Sequence, residues 1–167
     1  MANACASPSR ANRDPLTQST LTQKCGLREA RTTIFQVVPE AFTKVNLVAV
    51  DDAAPANGFG DRWEARVARD ALSAERTGVT YFRLRPGKRS QFTHRHVDAE
   101  EVYVVLGGSG RAKLGDELVA VGPLDAIRVA PATARAFEAG PDGLELLAFG
   151  AHHPGDGEPV EDPWTEQ

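Results

Sequence analysis

The chain has 167 residues, two cysteines and a formal net charge of −4. This length predicts one domain with room for a hydrophobic core, and the modest negative charge argues against nucleic acid or an anionic membrane as a partner. No run approaches the ~20 apolar residues that span a bilayer. Because both cysteines, Cys5 and Cys25, lie near the start, we expect a cytoplasmic protein without a disulfide framework.

Residues 1–43 are rich in Ser, Thr, Gln and Arg and show no sustained hydrophobic period. We interpret them as a disordered, dispensable N-terminal extension. A transit-like leader and residues translated upstream of the true start are the alternatives. The short apolar run at 34–38 is predicted to be either an added edge strand or a weak amphipathic contact.

Residues 44–150 have a different character, because short apolar or alternating runs are separated here by Gly and Pro turns. This spacing predicts about nine or ten short strands and therefore a β-sandwich or barrel. The pattern predicts a first strand at 45–50, a tight turn at 107–110 and a hairpin turning at Gly115 and Asp116. Residues 151–167 carry five acidic residues and no Lys or Arg, and they are predicted to form an acidic tail.

The stretch 86–108 holds the residues that are chemically most informative. His94 and His96 are two apart, so on a strand their side chains point to the same side. Glu101 opens the next predicted strand and shares one face with Tyr103 and Val105. Two imidazoles and a carboxylate that converge from adjacent strands are typical of a divalent metal site.

These residues resemble the first motif of the cupins, in particular the small single-domain bacterial members. That motif has a Gly, a His-x-His pair, a Glu and a further Gly, which are here Gly87, His94, His96, Glu101 and Gly108. The second motif is matched in outline by residues 122–137. Its third histidine is replaced by Arg135, and its turn glycine is absent. The resemblance covers 44–150 and implies an all-β jelly-roll, a double-stranded β-barrel with a pocket in its mouth, often as a homodimer.

The resemblance does not select one reaction, since one fold serves many functions. His94, His96 and Glu101 are predicted to bind a divalent metal ion, for which Fe, Mn, Zn, Ni and Co are all candidates. The alternative is a metal-free polar cluster held by hydrogen bonds. Tyr103 and Phe137 alternate in phase with the site and are predicted to line a substrate pocket.

Arg135 leaves three arrangements open, since a guanidinium cannot ligate a metal. In the first, Arg135 pairs with Glu101 and the site holds no metal. In the second, three residues hold the metal and Arg135 binds the anionic group of a substrate. In the third, Arg135 turns to the rim and pairs with Glu138 or Asp142.

The function predicted from the sequence is the binding of a divalent metal and a small anionic organic molecule. If the protein is an enzyme, the expected reaction is metal-dependent dioxygenation or isomerisation. The competing predictions are a metal-free module for binding or sensing small molecules and a metal-free epimerase, for which Tyr103 is the acid candidate. His152 and His153 are expected to be exposed, unless the tail folds back and supplies a fourth ligand.

Overall fold

A computed structural model describes residues 18–20, 33–35, 41–90, 93–161 and 164. The chain divides into two compact units, residues 1–42 and residues 43–167. In the first unit, strands β1 (Gln18–Thr20) and β2 (Thr33–Phe35) pair antiparallel. The prediction of a disordered extension at 1–43 falls mostly on residues outside the described ranges.

The second unit contains eight antiparallel strands, which confirms the all-β jelly-roll prediction. They are β3 (Trp63–Val67), β4 (Thr77–Leu84), β5 (Thr93–His96), β6 (Glu101–Leu114), β7 (Glu117–Val121), β8 (Ala126–Val129), β9 (Arg135–Ala151) and β10 (Gly157–Val160). The strand order is β10-β5-β9-β4-β3, and β6 pairs with β7, β8 and β9. No helix in the described ranges is long and apolar enough to cross a membrane.

The alternation of side chains explains how the strands enclose a core. On β3, Trp63 and Ala65 are buried whereas Glu64 and Arg66 point away from the core, as period-two geometry requires. The core extends from Ala54 to Ala148 and includes Tyr103, Val105, Leu144 and Leu146.

Two of the strands, β6 and β9, are much longer than the short strands expected from the sequence. The tight turn predicted at 107–110 is wrong, because β6 runs through it with register shifts between Val105 and Gly107 and between Gly108 and Gly110. A Cβ at Gly108 would lie 2.1 Å from the Gly143 carbonyl oxygen, and the φ of Gly108 is +75°. Glycine therefore allows β6 and β9 to bend together without ending.

The strand predicted at 45–50 is also wrong. Leu47–Ala49 forms a 3-10 helix, and the Asn46 side chain accepts a hydrogen bond from the Val48 amide at 3.0 Å. None of its three residues is buried, so the apolar run lacks the packing that would hold it in a sheet. The hairpin at Gly115 is confirmed, since Leu114 pairs with Glu117.

Candidate functional site

The register of the sheet brings the residues of the two motifs to one place. His94 lies directly opposite Arg135 in the pairing of β5 with β9. Glu101 begins β6, and its Oε2 atom is the centre of the cluster. His96 Nε2 lies 3.3 Å from Glu101 Oε2, and His94 Nε2 lies 3.7 Å from the same atom.

These distances match a metal-binding geometry. The ligand atoms of His94, His96 and Glu101 all lie within 4.8 Å of one another. Metal–ligand bonds of ~2.0–2.2 Å in a tetrahedral site place neighbouring donors roughly 3.3–3.6 Å apart. Both ring nitrogens of His96, Nδ1 and Nε2, are buried, and neither makes an aligned hydrogen bond among the described residues. The three donors therefore fit a divalent ion, and they form the candidate metal site.

Arg135 points inward, so the arrangement in which it pairs at the rim with Glu138 or Asp142 is wrong. Its side chain is 0% exposed. Arg135 Nη2 and Nε donate to Glu101 Oε2 at 2.8 and 3.2 Å. Arg135 Nη1 donates to the carbonyl oxygens of Thr133 and Pro131 at 3.1 and 3.3 Å. The guanidinium is thus paired and hydrogen-bonded, as a buried cation requires.

Tyr103 completes the hydrogen bonding around Glu101. The Tyr103 hydroxyl donates to Glu101 Oε2 at 2.5 Å. Burial raises the pKa of Glu101, but the close His94, the Tyr103 hydroxyl and the Arg135 guanidinium outweigh burial and lower this pKa to about 2. Burial and the nearby Glu101 charge raise the pKa of Tyr103. Glu101 is therefore ionised and Tyr103 protonated at neutral pH.

The C-terminal segment contributes a residue that the sequence patterns did not single out. Asp156 Oδ2 lies 2.9 Å from His96 Nδ1, and β10 pairs with β5 so that Gly157 lies opposite His96. Hydrogen bonds from the Asp98 and Ala99 amides, together with His96, lower the pKa of Asp156 against the opposing effect of burial. Asp156 follows a Pro-Gly turn between the long strand β9 and the short strand β10, a context that gives no signal for a site.

A cavity of about 520 Å³ opens beside the cluster. The residues that line it include His94, Tyr103, Phe137 and the buried Arg135. The cavity wall is otherwise largely apolar, and it includes Phe59, Trp63, Ala65, Phe82, Leu84, Leu146 and Pro159. The Trp63 and Phe82 rings stack with centroids 5.2 Å apart and planes 4° apart. The sequence analysis did not predict this aromatic wall.

His152 is half-buried, so the expectation that it is exposed is wrong. His153 is exposed. Among the described residues, the cluster that could hold a metal ion consists of His94, His96 and Glu101 and does not include His152 or His153. The Trp164 ring lies 4.7 Å from the Arg89 guanidinium.

Comparisons with known proteins identify the fold. No family model matches the chain, and no curated protein matches it in sequence. Among solved structures, a cupin protein from Bacteroides fragilis shares 20% identity with a TM-score of 0.56, and the match covers 70% of this chain and 88% of that one. This chain has the cupin fold. Two further structures with the cupin fold are similar to it.

A sugar phosphate isomerase of the cupin superfamily from Silicibacter pomeroyi shares 19% identity with a TM-score of 0.60, covering 71% of this chain and 82% of that one. A polyketide cyclase from Streptomyces resistomycificus shares 23% identity with a TM-score of 0.58, covering 73% and 89%. At these identities the similarity shows the fold, and the function has to be argued from the site.

Proposed function

We propose that the protein binds a divalent metal ion through His94, His96 and Glu101, and a small organic molecule in the adjacent cavity. One residue carries the proposal because it belongs to both sites. His94 Nε2 lies 3.7 Å from Glu101 Oε2, and the same side chain lines the cavity. A molecule in the cavity would therefore lie next to the metal.

The walls of the cavity favour a ligand with an apolar, aromatic body. Trp63, Phe82 and Phe137 offer flat apolar faces, on which aromatic rings pack well. Arg135 is the only Lys or Arg in the described lining, and its donors are already directed to Glu101 and to backbone carbonyl oxygens. An anionic group of the ligand is therefore expected to bind the metal and not Arg135.

A ligand with an apolar, aromatic body is closer in chemistry to a polyketide, named for the cyclase neighbour, than to a sugar phosphate, named for the isomerase neighbour. The product of a polyketide cyclase contains carbon rings, whereas a sugar phosphate is strongly hydrophilic and needs several hydrogen-bond partners. An apolar cavity with a single engaged guanidinium suits the first kind of molecule. If the protein is an enzyme, we propose isomerisation or dioxygenation of such a molecule.

Each residue of the site has a distinct part in this proposal. The metal, when bound, would supply Lewis-acid chemistry. Tyr103 and Arg135 hold the Glu101 carboxylate in one orientation through the hydrogen bonds to Oε2. The aromatic wall excludes water around a bound molecule, which strengthens electrostatic interactions with it.

Metal content tests the proposal directly. Protein purified without an affinity tag or chelator should contain close to one divalent metal ion per chain by elemental analysis. His96→Ala should lose this metal, whereas His153→Ala should keep it, because His153 is exposed and lies outside the cluster. A metal-free wild-type protein that is folded would overturn the proposal.

A metal-free binding module is the second candidate, and the hydrogen bonds from Arg135 to Glu101 Oε2 favour it. Two variants of Arg135 separate the candidates. Arg135→Gln removes a positive charge near the metal and the Coulomb repulsion that goes with it, so it should bind Zn²⁺ at least roughly 10-fold more tightly than the wild-type protein. Arg135→His should bind Zn²⁺ more tightly still, because it adds a ligand. If neither variant binds Zn²⁺ in a calorimetric titration, the metal-free module is the better description.

A further inference from the structure

We propose that Asp156 is a positioning residue that makes His96 a metal ligand; this inference rests on the proposed metal site. The two ring nitrogens of His96 face different carboxylates. Nδ1 lies 2.9 Å from Asp156 Oδ2, and Nε2 lies 3.3 Å from Glu101 Oε2. The contact with Asp156 therefore determines which nitrogen carries the proton.

The Asp156 carboxylate is itself held rigidly. Oδ1 accepts hydrogen bonds from the Asp98 amide at 2.8 Å and the Val97 amide at 3.2 Å. Oδ2 accepts a hydrogen bond from the Ala99 amide at 3.0 Å. Asp156 is buried, with 7% of its surface exposed. A carboxylate that accepts three amide hydrogen bonds is fixed in place and can only accept from His96.

The tautomer of His96 follows from this acceptor. Nδ1 and Oδ2 lie at contact distance, although the contact is not an aligned hydrogen bond. Two acceptors would repel each other at 2.9 Å, so we place a proton on Nδ1. In a neutral imidazole the lone pair then lies on Nε2. Nε2 is the atom that faces Glu101, and metal-binding histidines characteristically direct their other nitrogen to a carboxylate or carbonyl oxygen.

The pairing of β10 with β5 places Asp156 next to the His96 ring. Gly157 lies opposite His96 and Val160 lies opposite Thr93. Asp156 therefore enters the sheet directly beside the imidazole. A slip of one residue in this register would turn neighbouring side chains to the other face.

Asp156 also restores the negative charge that Arg135 cancels. With neutral histidines, Glu101 and Arg135 together carry no net charge. Asp156 gives the cluster a net charge of −1, which attracts a divalent cation. The acid from the C-terminal segment thus compensates for the arginine that stands in place of the third motif histidine.

The test combines nitrogen NMR with Zn²⁺ titration of the full chain. In the metal-free wild-type protein labelled with ¹⁵N at histidine, His96 should carry a proton on Nδ1, whether or not Nε2, which faces Glu101, is also protonated. Asp156→Asn should shift it to the Nε2–H tautomer, because the Asn amide group would donate to Nδ1. The same variant should weaken Zn²⁺ binding by about 10–100-fold, the usual cost of losing such a partner.

Glu158→Gln is the matched control, because Glu158 is an acid two residues after Asp156 that pairs with exposed Arg95 at 2.8 Å. It should change neither the tautomer nor Zn²⁺ affinity. An Nε2–H tautomer in the wild-type protein would overturn the inference without any variant. Unchanged tautomer and Zn²⁺ affinity in a folded Asp156→Asn protein would also overturn it. A correct tautomer without Zn²⁺ binding in the wild-type protein would instead overturn the proposed metal site.

Discussion

Arg135 stands where the resembled motif has a histidine, and it is the bulkiest fully buried side chain in the described part of the chain. A buried cation needs a partner anion and acceptors for its remaining donors. Glu101, together with the Thr133 and Pro131 carbonyl oxygens, supplies both. The same pairing orients the Glu101 carboxylate, so one substitution changes both the charge and the geometry of the site.

The half-buried carboxylate of Glu138 gives a prediction about how the stability of the protein depends on pH. Glu138 accepts hydrogen bonds from Arg89 Nε and Arg111 Nη2, each at 2.6 Å. Burial raises the pKa of Glu138, but the two arginines outweigh burial and lower it. Because the folded pKa lies below the unfolded value of about 4.3, this stabilisation is present above pH ~5 and is lost as the pH falls through the folded pKa.

Glu138→Gln should therefore reduce the free energy of unfolding at pH 7, and this reduction should shrink as the pH falls below the unfolded pKa of about 4.3. The arginines are 41% and 49% exposed, so solvent screening limits the difference to about 1 kcal/mol. Urea unfolding at several pH values measures it. Glu117→Gln, at an exposed position of β7, is the control and should show no such pH dependence. A pH-independent effect of Glu138→Gln would contradict the assignment.

The pairing of β6 with β9 depends on glycines, because the two backbones lie very close together at Gly108 and Gly110. A Cβ at Gly110 would lie 2.1 Å from the Glu138 carbonyl oxygen, which is backbone and cannot move aside easily. Gly110→Ala should therefore destabilise the protein by about 2–4 kcal/mol, at the upper end of single-residue effects. Thermal or urea unfolding measures the loss.

Gly107→Ala is the matched control on the same strand. A Cβ at Gly107 meets no atom within 4 Å, so the substitution should change the free energy of unfolding by less than about 1 kcal/mol. Equal effects of the two substitutions would show that backbone contact at Gly110 is not what limits the crossing.

The sequence predicted the elements whose side-chain pattern is local. Period two in β3 and the turn at Gly115 identify strands, and His94, His96 and Glu101 lie together because their spacing follows strand geometry. The long strands could not be predicted, because Gly107–Gly110 signals a turn locally and only pairing with residues 139–145 keeps this segment in β6. Asp156 could not be predicted either, since its contact with His96 spans 60 residues and depends on β10 adding to the sheet.

On the scale of the whole domain, the polar cluster separates two cavities. His94, Tyr103 and Arg135 line the larger one, of about 520 Å³, with its aromatic wall. His96, Glu101 and Asp156 line another of about 300 Å³, whose wall also includes the polar residues Asp70 and Thr80. A metal at the candidate site would thus lie between an apolar and a more polar space, an arrangement that allows ligands of different polarity to approach from two sides.

The division of the chain at residue 43 gives the last prediction. Every member of the hydrophobic core found in the described residues lies between Ala54 and Ala148, and the second compact unit begins at Thr43. A chain consisting of residues 43–167 should therefore fold cooperatively, and its free energy of unfolding should differ from that of the full chain by less than about 1 kcal/mol. Urea unfolding followed by circular dichroism measures this difference, and a Zn²⁺ titration should give equal affinities for the two chains.

The comparison chain, residues 1–150, lacks Asp156 and β10, so it should lose Zn²⁺ affinity even if it folds. A shortened chain 43–167 without a cooperative transition would show that the N-terminal unit stabilises the barrel, and the assignment of residues 1–43 as dispensable would then be wrong.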